Sequence, residues 1–350
     1  MKNVGIYTLN GNYNYGNRLQ NYALNTYLNK FVYCKTLWKT DDRILYFKQL
    51  VKSKLFFLKR YKRESYFCKF TISYIKPKYV NKLADTSFDK YIVGSDQVWN
   101  VNFPEVDQDM FLKFSKKSKN ISYSASIGIS EIPKNKVDFF INGIENISYI
   151  SVREEKGKEI IEELTGRKDV YVLVDPTMLL TIEEWDKVSK KPKMLKNDKY
   201  ILNYFLGELS KERKEEIERI ARENDCEIIN LLDKNSPFYV CGPSEFLYLE
   251  KHAFLICTDS FHSSVFAILY NRPFVIFDRE EKGMENMGSR LDTLINKFKL
   301  KNRRYNGKNI TKDNLEHDYS EAYKILEKER KKSDEFLREA LDICGDKNER

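Results

Sequence analysis

The chain has 350 residues, of which 41% are hydrophobic and 32% charged, and its formal net charge is +9. A chain of this length suggests two domains, and the composition is that of a globular protein with enough apolar residues for packed cores. No stretch approaches the roughly 18 consecutive apolar residues of a membrane-spanning helix, and the polar start, MKNVGIYTLNGNYNYGN, does not fit a signal peptide.

Ten short runs rich in Val, Ile, Tyr and Phe predict strands. They lie at 3–9, 31–37, 90–94, 120–126, 149–153 and 170–174, and then at 199–205, 226–232, 253–258 and 274–278. The runs are apolar throughout rather than alternating, as in parallel strands that helices cover on both faces. Helical patterns separate them, so the sequence predicts an α/β fold. The two series indicate two Rossmann-like, doubly wound domains that face a cleft, in a GT-B-like arrangement.

The Lys- and Pro-rich stretch KKPKMLKNDK separates the two series. We expect an N-terminal Rossmann-like domain over 1–177, a linker over 178–197, a C-terminal Rossmann-like domain over 198–318 and a charged amphipathic helix over 319–350. In doubly wound sheets, ligands bind beyond the carboxyl ends of the strands. The residues that follow the predicted strands are therefore the candidate site.

A strongly basic segment extends from Lys48 to Lys82. It holds eleven Lys or Arg residues and one acid, Glu64, so its charge is 11 − 1 = +10 against +9 for the whole chain. Aromatic residues are interleaved with the charges. Such a segment can contact an anionic membrane, nucleic acid or an anionic substrate, or it can be a solvated helical face above a buried aromatic stripe. No nucleic-acid-binding motif accompanies it, so we expect no nucleic acid partner.

Polar residues follow the first and third predicted strands. In GNYNYGNRLQNYAL, Asn17 and Gln20 are spaced like a capping box, and the loop holds four asparagines although a cap needs only one. In GSDQVWN, the polar residues come directly after the strand and could bind a polyol, although Asp96 could instead cap a turn. The candidate residues for a sugar acceptor are Asn14, Asn17, Gln20, Ser95, Asp96 and Gln97.

The fifth predicted strand ends at Arg153, within SVREE. A guanidinium group at this position could hold a carboxylate or a phosphate through two parallel hydrogen bonds. The alternative is a structural ion pair with Glu154 or Glu155.

His262 is one of three histidines and lies in TDSFHSSVFAILYNRPFVIF, directly after a predicted buried strand. The apolar residues that follow predict a short helix that ends before Pro273. His262, Ser263 and Ser264 would then lie at a helix N-terminus, where free backbone N–H groups favour a phosphate. Because histidine has a reference pKa of about 6.5, it could act there as a proton donor. A structural histidine is the alternative.

Taken together, these stretches resemble the polysaccharide pyruvyl transferase family. The matching motifs are NYGNRLQNYAL, YIVGSDQVWN, SYSASIG, SVREEKG, VDPTMLL and CTDSFHSSVFAILYNRPFVIF, with SRLDTL behind them, in the family's order over about residues 4–300. The resemblance implies phosphoenolpyruvate as donor and a sugar of a cell-surface polysaccharide, or of its lipid-linked precursor, as acceptor. The product would be a pyruvate ketal, with release of phosphate.

The resemblance also implies roles for individual residues. The N-terminal domain would hold the acceptor and the C-terminal domain the donor. His262 would be catalytic, and the donor would be bound by Arg153, Ser260, Ser263, Ser264 and Arg290. Other branches of the family carry Arg-Leu-His where this chain has Ser260-Phe261-His262. Either Arg153, Arg290 or another basic residue would then supply the missing positive charge, or the donor would be held differently.

No cofactor and no metal is expected. The sequence has no P-loop, no GxGxxG that opens a helix, no HExxH and no CxxC, and its six cysteines are scattered. We therefore expect a reduced, cytosolic protein without structural zinc, placed in the cytoplasm and peripherally at the inner face of the cell membrane if the acceptor is lipid-linked.

Two other functions fit the predicted fold. A nucleotide-sugar glycosyltransferase would have the same two-domain shape, and Asp107-Gln108-Asp109 matches the DxD pattern that such enzymes use with a metal. A non-catalytic glycan-binding protein could keep the fold without the chemistry. The sequence does not favour a Ser-His-Asp hydrolase built from Asp259, Ser260 and His262, because these residues are too close in sequence to align as a relay.

Overall fold

The computed structural model describes residues 1–11, 13–40, 57–85, 88–279 and 288–343. The first seven strands form one sheet: β1 (Asn3–Tyr7), β2 (Tyr33–Lys39), β3 (Lys78–Val80), β4 (Lys90–Val93), β5 (Asn120–Ala125), β6 (Tyr149–Val152) and β7 (Val170–Val172). All neighbours are parallel, in the order β3-β2-β1-β4-β5-β6-β7. The strand order reverses between β1 and β4, which is the switch point where such sheets bind ligands.

Four further strands form a second parallel sheet: β8 (Tyr200–Tyr204), β9 (Glu227–Asn230), β10 (Leu255–Thr258) and β11 (Phe274–Ile276). Their order is β11-β10-β8-β9, so this sheet reverses between β8 and β10. The ten predicted strands and the α/β class with two doubly wound parallel sheets are thus confirmed. The sequence missed β3, because this edge strand of three residues includes an exposed lysine and an exposed tyrosine rather than an apolar run.

The helices cover the sheets and connect the strands. They are α1 (Tyr15–Leu28), α2 (Phe57–Phe70), α3 (Val137–Ile144), α4 (Glu155–Thr165), α5 (Ile182–Asp186), α6 (Lys211–Glu223), α7 (Pro243–His252), α8 (Phe261–Leu269), α9 (Ser289–Lys297), α10 (Lys312–Leu315) and α11 (Ser320–Ala340). A π-helical turn, Thr71–Ile75, continues α2. The predicted C-terminal helix is α11, which ends at Ala340; residues 344–350 lie outside the described residues.

One cluster of buried side chains joins the two sheets. It runs from Val4 and Ile121 in the first sheet, through Trp185 of α5, to Leu202 and Ile256 in the second. Burial of apolar area on this scale is the main force that holds the sheets together. Because α5 lies within the predicted linker and packs in this common core, the proposed domain limits stay a prediction.

Helix α1 begins three residues earlier than the predicted capping box implies. Asn14 is the N-cap, and its side chain accepts a hydrogen bond from the backbone N–H of Asn17 at 3.2 Å. Gln20 therefore lies in the second turn and faces the sheet. Its Oε1 accepts from the backbone N–H of Ser95 at 2.9 Å, and its Nε2 donates to the Thr8 hydroxyl at 3.0 Å. Gln20 thus ties the ends of β1 and β4 together at the switch point.

The described residues also bear on the expectations about membrane-spanning helices, cysteines and the basic segment. None of the described helices is long and apolar enough to cross a membrane. The five described cysteines are free thiols, and Cys344 lies outside the described residues. In the basic segment, Lys48, Lys52 and Lys54 also lie outside the described residues, whereas the basic residues from Lys59 onward are on α2 or follow it.

Candidate functional site

The candidate site lies where the carboxyl ends of strands from both sheets meet. Asp96 follows β4, Arg153 follows β6, Asp175 lies beyond β7, and His262 is the second residue of α8, which follows β10. His262 Nε2 is 3.4 Å from Arg153 Nη1 and 3.4 Å from Asp175 Oδ2. The structure therefore brings together the two residues that the sequence singled out as donor ligand and proton donor, although they are 109 positions apart.

Arg153 is buried between two carboxylates and an aromatic ring. Its Nη1 donates to Asp175 Oδ2 at 2.6 Å, and its Nη2 lies 3.5 Å from Asp96 Oδ1. The centre of its guanidinium group lies 4.2 Å from the centroid of the Phe261 ring. Burial alone would lower the pKa of Arg153, but Asp175 and Asp96 outweigh it and raise the pKa. Arg153 is thus a fixed cation. The alternative, an ion pair with Glu154 or Glu155, is not among its described contacts, although the Glu154 carboxylate also contributes to the raised pKa.

Asp175 is the residue at the centre of the cluster, and sequence reasoning assigned it no role. Burial disfavours its ionised form, but His262 and Arg153 lower its pKa well below the usual range. Its Oδ1 accepts from the backbone N–H and the hydroxyl of Thr177, at 3.0 Å and 2.7 Å. Because Asp175 stays ionised and is held on both oxygens, it can orient His262 and attract the imidazolium form.

Some of the residues expected to bind an acceptor lie in the site, and the others make hydrogen bonds within the fold around it. Asp96 lies in the site, and Asn17 Nδ2 lies 3.5 Å from its Oδ2. Burial disfavours ionisation of Asp96, yet Arg153 in particular lowers its pKa. The Ser95 hydroxyl is fully buried, 2.7 Å from Ser124 O and 3.1 Å from Asp175 Oδ2. Gln97 lies apart, where its Oε1 accepts from Asn100 Nδ2 at 2.8 Å.

The His262 imidazole lies where the first turn of its own helix, α8, meets the first turn of α1. It lies in the first turn of α8, and its imidazole contacts Gly16 in the first turn of α1. A Cβ atom added to Gly16 would overlap His262 Nδ1. Only glycine therefore allows the helix to approach the ring this closely. His262 is 5% exposed, so its position is defined by Gly16, Asp175 and Arg153.

The three serines around His262 have different surroundings. Ser260 is the N-cap of α8, and its side chain makes no capping hydrogen bond. The Ser263 hydroxyl donates to Glu250 Oε1 at 2.6 Å, on α7 behind the site. The Ser264 hydroxyl donates to the backbone oxygen of Ser260 at 3.0 Å. The Ser263 and Ser264 hydroxyls are therefore used within the fold, whereas the Ser260 hydroxyl makes no hydrogen bond among the described contacts.

Arg290 completes the cluster from α9. It is 8% exposed and makes no hydrogen bond or ion pair with the part of the chain that the structure describes. Burial, followed by repulsion from Arg153, lowers its pKa to about 10. Together with Phe261, Arg279 and Arg304, it lines a cavity of about 320 Å³. Glu154 and Asp96 act on Arg290 only at longer range, and the aspartates that line the cavity are paired with Arg279 and Arg304. A buried cation without a direct ion pair beside an open cavity is the arrangement expected of an anion site.

Unpaired polar atoms surround this cluster. The buried atoms Asn17 Oδ1, Arg153 Nε, Glu154 Oε2 and Arg290 Nε have no hydrogen-bond partner among the described residues. Buried polar atoms normally have partners, so a group of unpaired ones marks a place for a ligand or water. A larger cavity of about 580 Å³ lies elsewhere, between the β7 edge and α11, and contains none of these residues.

The DxD pattern has a structural role in this fold. Lys39 Nζ lies 3.6 Å from Asp107 Oδ2 and 2.5 Å from Asp109 Oδ2. The Asp107 side chain also accepts from the backbone N–H of Asp109 and caps a short 3₁₀ helix. Across the described residues, no group of three His, Cys, Asp or Glu side chains is arranged to hold a metal ion.

The sequence also matches a family model, described as polysaccharide pyruvyl transferase, over residues 14–281. The chain belongs to the polysaccharide pyruvyl transferase family. Among curated proteins, none matches the sequence closely enough to count as a relative. Membership places the chain among enzymes of polysaccharide modification. The family match includes Asn14, Arg153, Asp175 and His262, but it ends before Arg290.

Solved structures of similar overall fold come from sugar enzymes and from a protein without an assigned function. An uncharacterized protein from Klebsiella pneumoniae is 14% identical, with 82% of this chain and 87% of that chain covered and a TM-score of 0.42. UDP-N-acetylglucosamine 2-epimerase from Rickettsia bellii is 13% identical, with 98% and 97% covered and a TM-score of 0.46. MurG from Acinetobacter baumannii is 10% identical, with 98% and 100% covered and a TM-score of 0.42.

Proposed function

We propose that this pyruvyl transferase takes the pyruvyl group from phosphoenolpyruvate and forms a cyclic ketal across two hydroxyls of a polysaccharide sugar, with release of phosphate. The observation that carries the proposal is Arg290: this buried guanidinium makes no hydrogen bond or ion pair with the described residues, and it lines a cavity together with Phe261, whose ring contacts Arg153. Such a cation is unfavourable in the empty protein and favourable once an anion is bound. Arg290 would supply the positive charge that an arginine supplies in other branches of the family at the position of Ser260.

The charges of the cluster support a small donor with two anionic groups. Arg153 is already neutralised by Asp175 and Asp96, so it would act mainly by holding those carboxylates and the Phe261 ring in place. Arg290 remains for the carboxylate or the phosphate of phosphoenolpyruvate. The first turn of α8 offers backbone N–H groups for the other anionic group, and the Ser260 hydroxyl adds a further donor.

In the proposed reaction, the His262 imidazolium gives a proton to the methylene carbon, C3, of phosphoenolpyruvate. The C2–C3 double bond becomes a single bond, C3 becomes a methyl group, and C2 becomes electrophilic. One sugar hydroxyl attacks C2 and loses its proton, and the C2–O bond to phosphate breaks. The second hydroxyl then attacks C2, loses its proton and closes the ketal. One of the two released protons restores His262, and the other leaves with phosphate, so atoms and charges balance.

Asp96 would serve the acceptor side of the reaction. It stays ionised at neutral pH, because the lowered pKa of this carboxyl reflects Arg153, with smaller contributions from His262 and Arg290. An ionised carboxylate can accept a hydrogen bond from a sugar hydroxyl and orient it toward C2. Gln20 and Ser95 would support this position from behind, since their polar groups are used within the fold.

The donor assignment can be tested by calorimetric titration of the purified chain with phosphoenolpyruvate, and separately with UDP-sugars and inorganic phosphate. We expect phosphoenolpyruvate to bind, and we expect Arg290→Met to weaken its binding about 10-fold or more, since a charge-assisted contact is lost. Arg304→Met is the matched control, because Arg304 lines the same cavity but is paired with Asp278 and Asp292. Equal affinity in wild type and Arg290→Met, or binding of a UDP-sugar alone, contradicts the proposal.

The chemistry can be tested by a second measurement. With acceptor glycans in deuterated water, proton transfer to C3 predicts one solvent deuterium in the ketal methyl group, detected by mass spectrometry together with phosphate release. His262→Ala should lower the rate by about 10²-fold or more. A methyl group without solvent deuterium would rule out protonation at C3.

A further inference from the structure

We infer that the exposed side of α2 and of the π-helical turn docks on the surface of an anionic lipid bilayer. This surface, called the α2 face, consists of Leu58, Tyr61, Lys62, Lys69, Ile72 and Lys76. The inference goes beyond the proposed function and does not depend on the donor. It rests on three features of the described residues: exposed aliphatic side chains, unpaired lysines and the contact of α2 with the start of α1.

The α2 face carries apolar side chains that the core does not use. Leu58 is 80% exposed, Tyr61 56% and Ile72 64%. The other side of the same helix packs inward through Phe67 and Phe70, which are buried. A buried aromatic stripe therefore explains the inner face of α2 but not the outer one. Large exposed aliphatic residues placed together on one side of a helix are typical of a contact surface.

The charges of the α2 face are of one sign. Between residues 57 and 82 the only acid is Glu64, which is buried and paired with Arg60 at 2.7 Å. Lys62, Lys69 and Lys76 make no ion pair with the part of the chain that the structure describes. In the charged helix α11, by contrast, Lys331, Lys332 and Arg338 each pair with an acid one turn away, although Lys324 and Lys328 do not within the described residues. The α2 face thus offers cations to an anionic partner without competition from its own carboxylates.

The aliphatic residues favour a membrane over a polysaccharide or a nucleic acid. Sugars and bases stack on aromatic rings, and phosphate groups pair with cations, but neither partner buries isolated leucine and isoleucine tips. An anionic bilayer can bind the cations and also bury the aliphatic side chains, because its headgroups attract lysines and its interface accepts Leu58 and Ile72. The combination on the α2 face therefore commits the inference to anionic lipid.

The α2 face is also connected, through the inner side of α2, to the start of α1. Arg63, on the inner side of α2, donates to the backbone oxygen of Tyr13 at 3.1 Å, and Tyr13 directly precedes the N-cap Asn14 of α1. Docking through α2 would therefore hold the first turn of α1 near the membrane. This last step rests on the proposed function, since it matters only if the acceptor sugar is carried on a lipid.

Flotation of the full chain with vesicles tests the inference. We expect binding to vesicles that contain phosphatidylglycerol, little binding to vesicles of phosphatidylcholine alone, and weaker binding at high salt. One lysine at an anionic surface contributes about a factor of five, so Lys62→Glu with Lys69→Glu should weaken binding roughly 30-fold or more. Leu58→Ser with Ile72→Ser should remove the binding that remains at high salt. The matched control is Lys324→Glu with Lys328→Glu, two exposed lysines of α11 without an ion pair among the described contacts.

Three outcomes overturn the inference: no binding to phosphatidylglycerol vesicles at low salt, equal loss of binding in the α11 control, or binding of nucleic acid in place of vesicles. The titration with phosphoenolpyruvate contains no lipid and should be unchanged in all of these variants. Failure of membrane docking is therefore distinguishable from failure of the proposed donor.

Discussion

The imidazole of His262 lies against the backbone of Gly16, so the first turns of α1 and α8 meet directly. One helix follows β1 of the first sheet, and the other follows β10 of the second. The contact therefore positions the proposed proton donor from both halves of the molecule. Asp175 Oδ2, at 3.4 Å from His262 Nε2, fixes the other edge of the ring.

Gly16→Ala should displace the imidazole without unfolding the protein. The added methyl group overlaps His262 Nδ1, so the ring must leave its present position between Gly16 and Asp175. A general acid contributes about 10²-fold or more, so we expect turnover to fall by at least about 10-fold. Gly157→Ala is the control, because a Cβ there meets only side-chain atoms at 3.5 Å or more. The turnover rate tests whether the imidazole is displaced, and the far-UV circular dichroism spectrum tests whether the fold is kept. Unchanged turnover in Gly16→Ala would contradict the displacement.

Asp175→Asn should be strongly destabilising at neutral pH. The substitution leaves Arg153 buried without its 2.6 Å partner, and breaking a buried pair costs about 3–5 kcal/mol. The pKa of Asp175 is lowered in the folded protein, so its stabilising effect is present above the unfolded carboxyl pKa of about 4 and is lost as the pH falls below it. In urea unfolding, the difference between the two proteins should stay constant from pH 7 to about pH 5 and shrink as the pH falls below about 4. A difference that does not shrink below about pH 4 would show that the charge of Asp175 is not what stabilises the fold.

Arg290→Met should make the ligand-free protein more stable. Arg290 has no partner among the described residues, and burial and Arg153 lower its pKa to about 10. Replacement of an unpaired buried cation by an apolar side chain of similar length should raise the free energy of unfolding by about 1–3 kcal/mol. Urea unfolding without phosphoenolpyruvate measures this gain. A loss of stability instead would mean that Arg290 is structural rather than kept for a ligand.

The sequence predicted the sheets far better than the centre of the site. Continuous apolar runs located ten of the eleven strands, because burial on both faces leaves that pattern. Arg153 and His262 could be singled out because Arg153 directly follows a strand and His262 lies at the start of the helix that follows one. Asp175 could not, because an Asp before Pro176 also fits a cap, and it does cap the turn that follows. Its second role depends on which strand neighbours β6, and that is a property of the topology rather than of the local sequence.

Glu250→Gln should change how stability depends on pH. Burial raises the pKa of Glu250 well above its usual range, and the hydrogen bond from Ser263 opposes this only in part. The folded protein therefore keeps a proton that the unfolded chain releases above about pH 4.3, so this residue lowers stability as the pH rises. Glutamine keeps the shape and the acceptor for Ser263 but does not titrate. Between pH 5 and 8 the free energy of unfolding of the variant should rise relative to that of the wild type by up to about 1.4 kcal/mol per pH unit. A constant difference between the two proteins over this pH range would contradict this.

Arg63→Ala should loosen the junction between α2, α1 and the second half of the chain. Arg63 is buried, its Nη2 donates to Tyr13 O at 3.1 Å, its Nη1 donates to Tyr239 O at 3.2 Å, and its guanidinium lies 4.6 Å from the centroid of the Tyr15 ring. Truncation leaves two carbonyl groups without this donor and removes the cation from the aromatic ring, so we expect a loss of about 2–4 kcal/mol in urea unfolding.

The neighbouring residue supplies the control for Arg63. Lys62→Ala removes a cation from the exposed side of the same helix turn, where it has no ion pair among the described contacts, and should stay within about 0.5 kcal/mol of the wild type. Because Tyr13 precedes the N-cap of α1, Arg63→Ala should also lower turnover by loosening the turn that holds His262, whereas Lys62→Ala should not when the acceptor is soluble. Equal stability of the two variants would show that the inward contacts of α2 do not hold the two halves together.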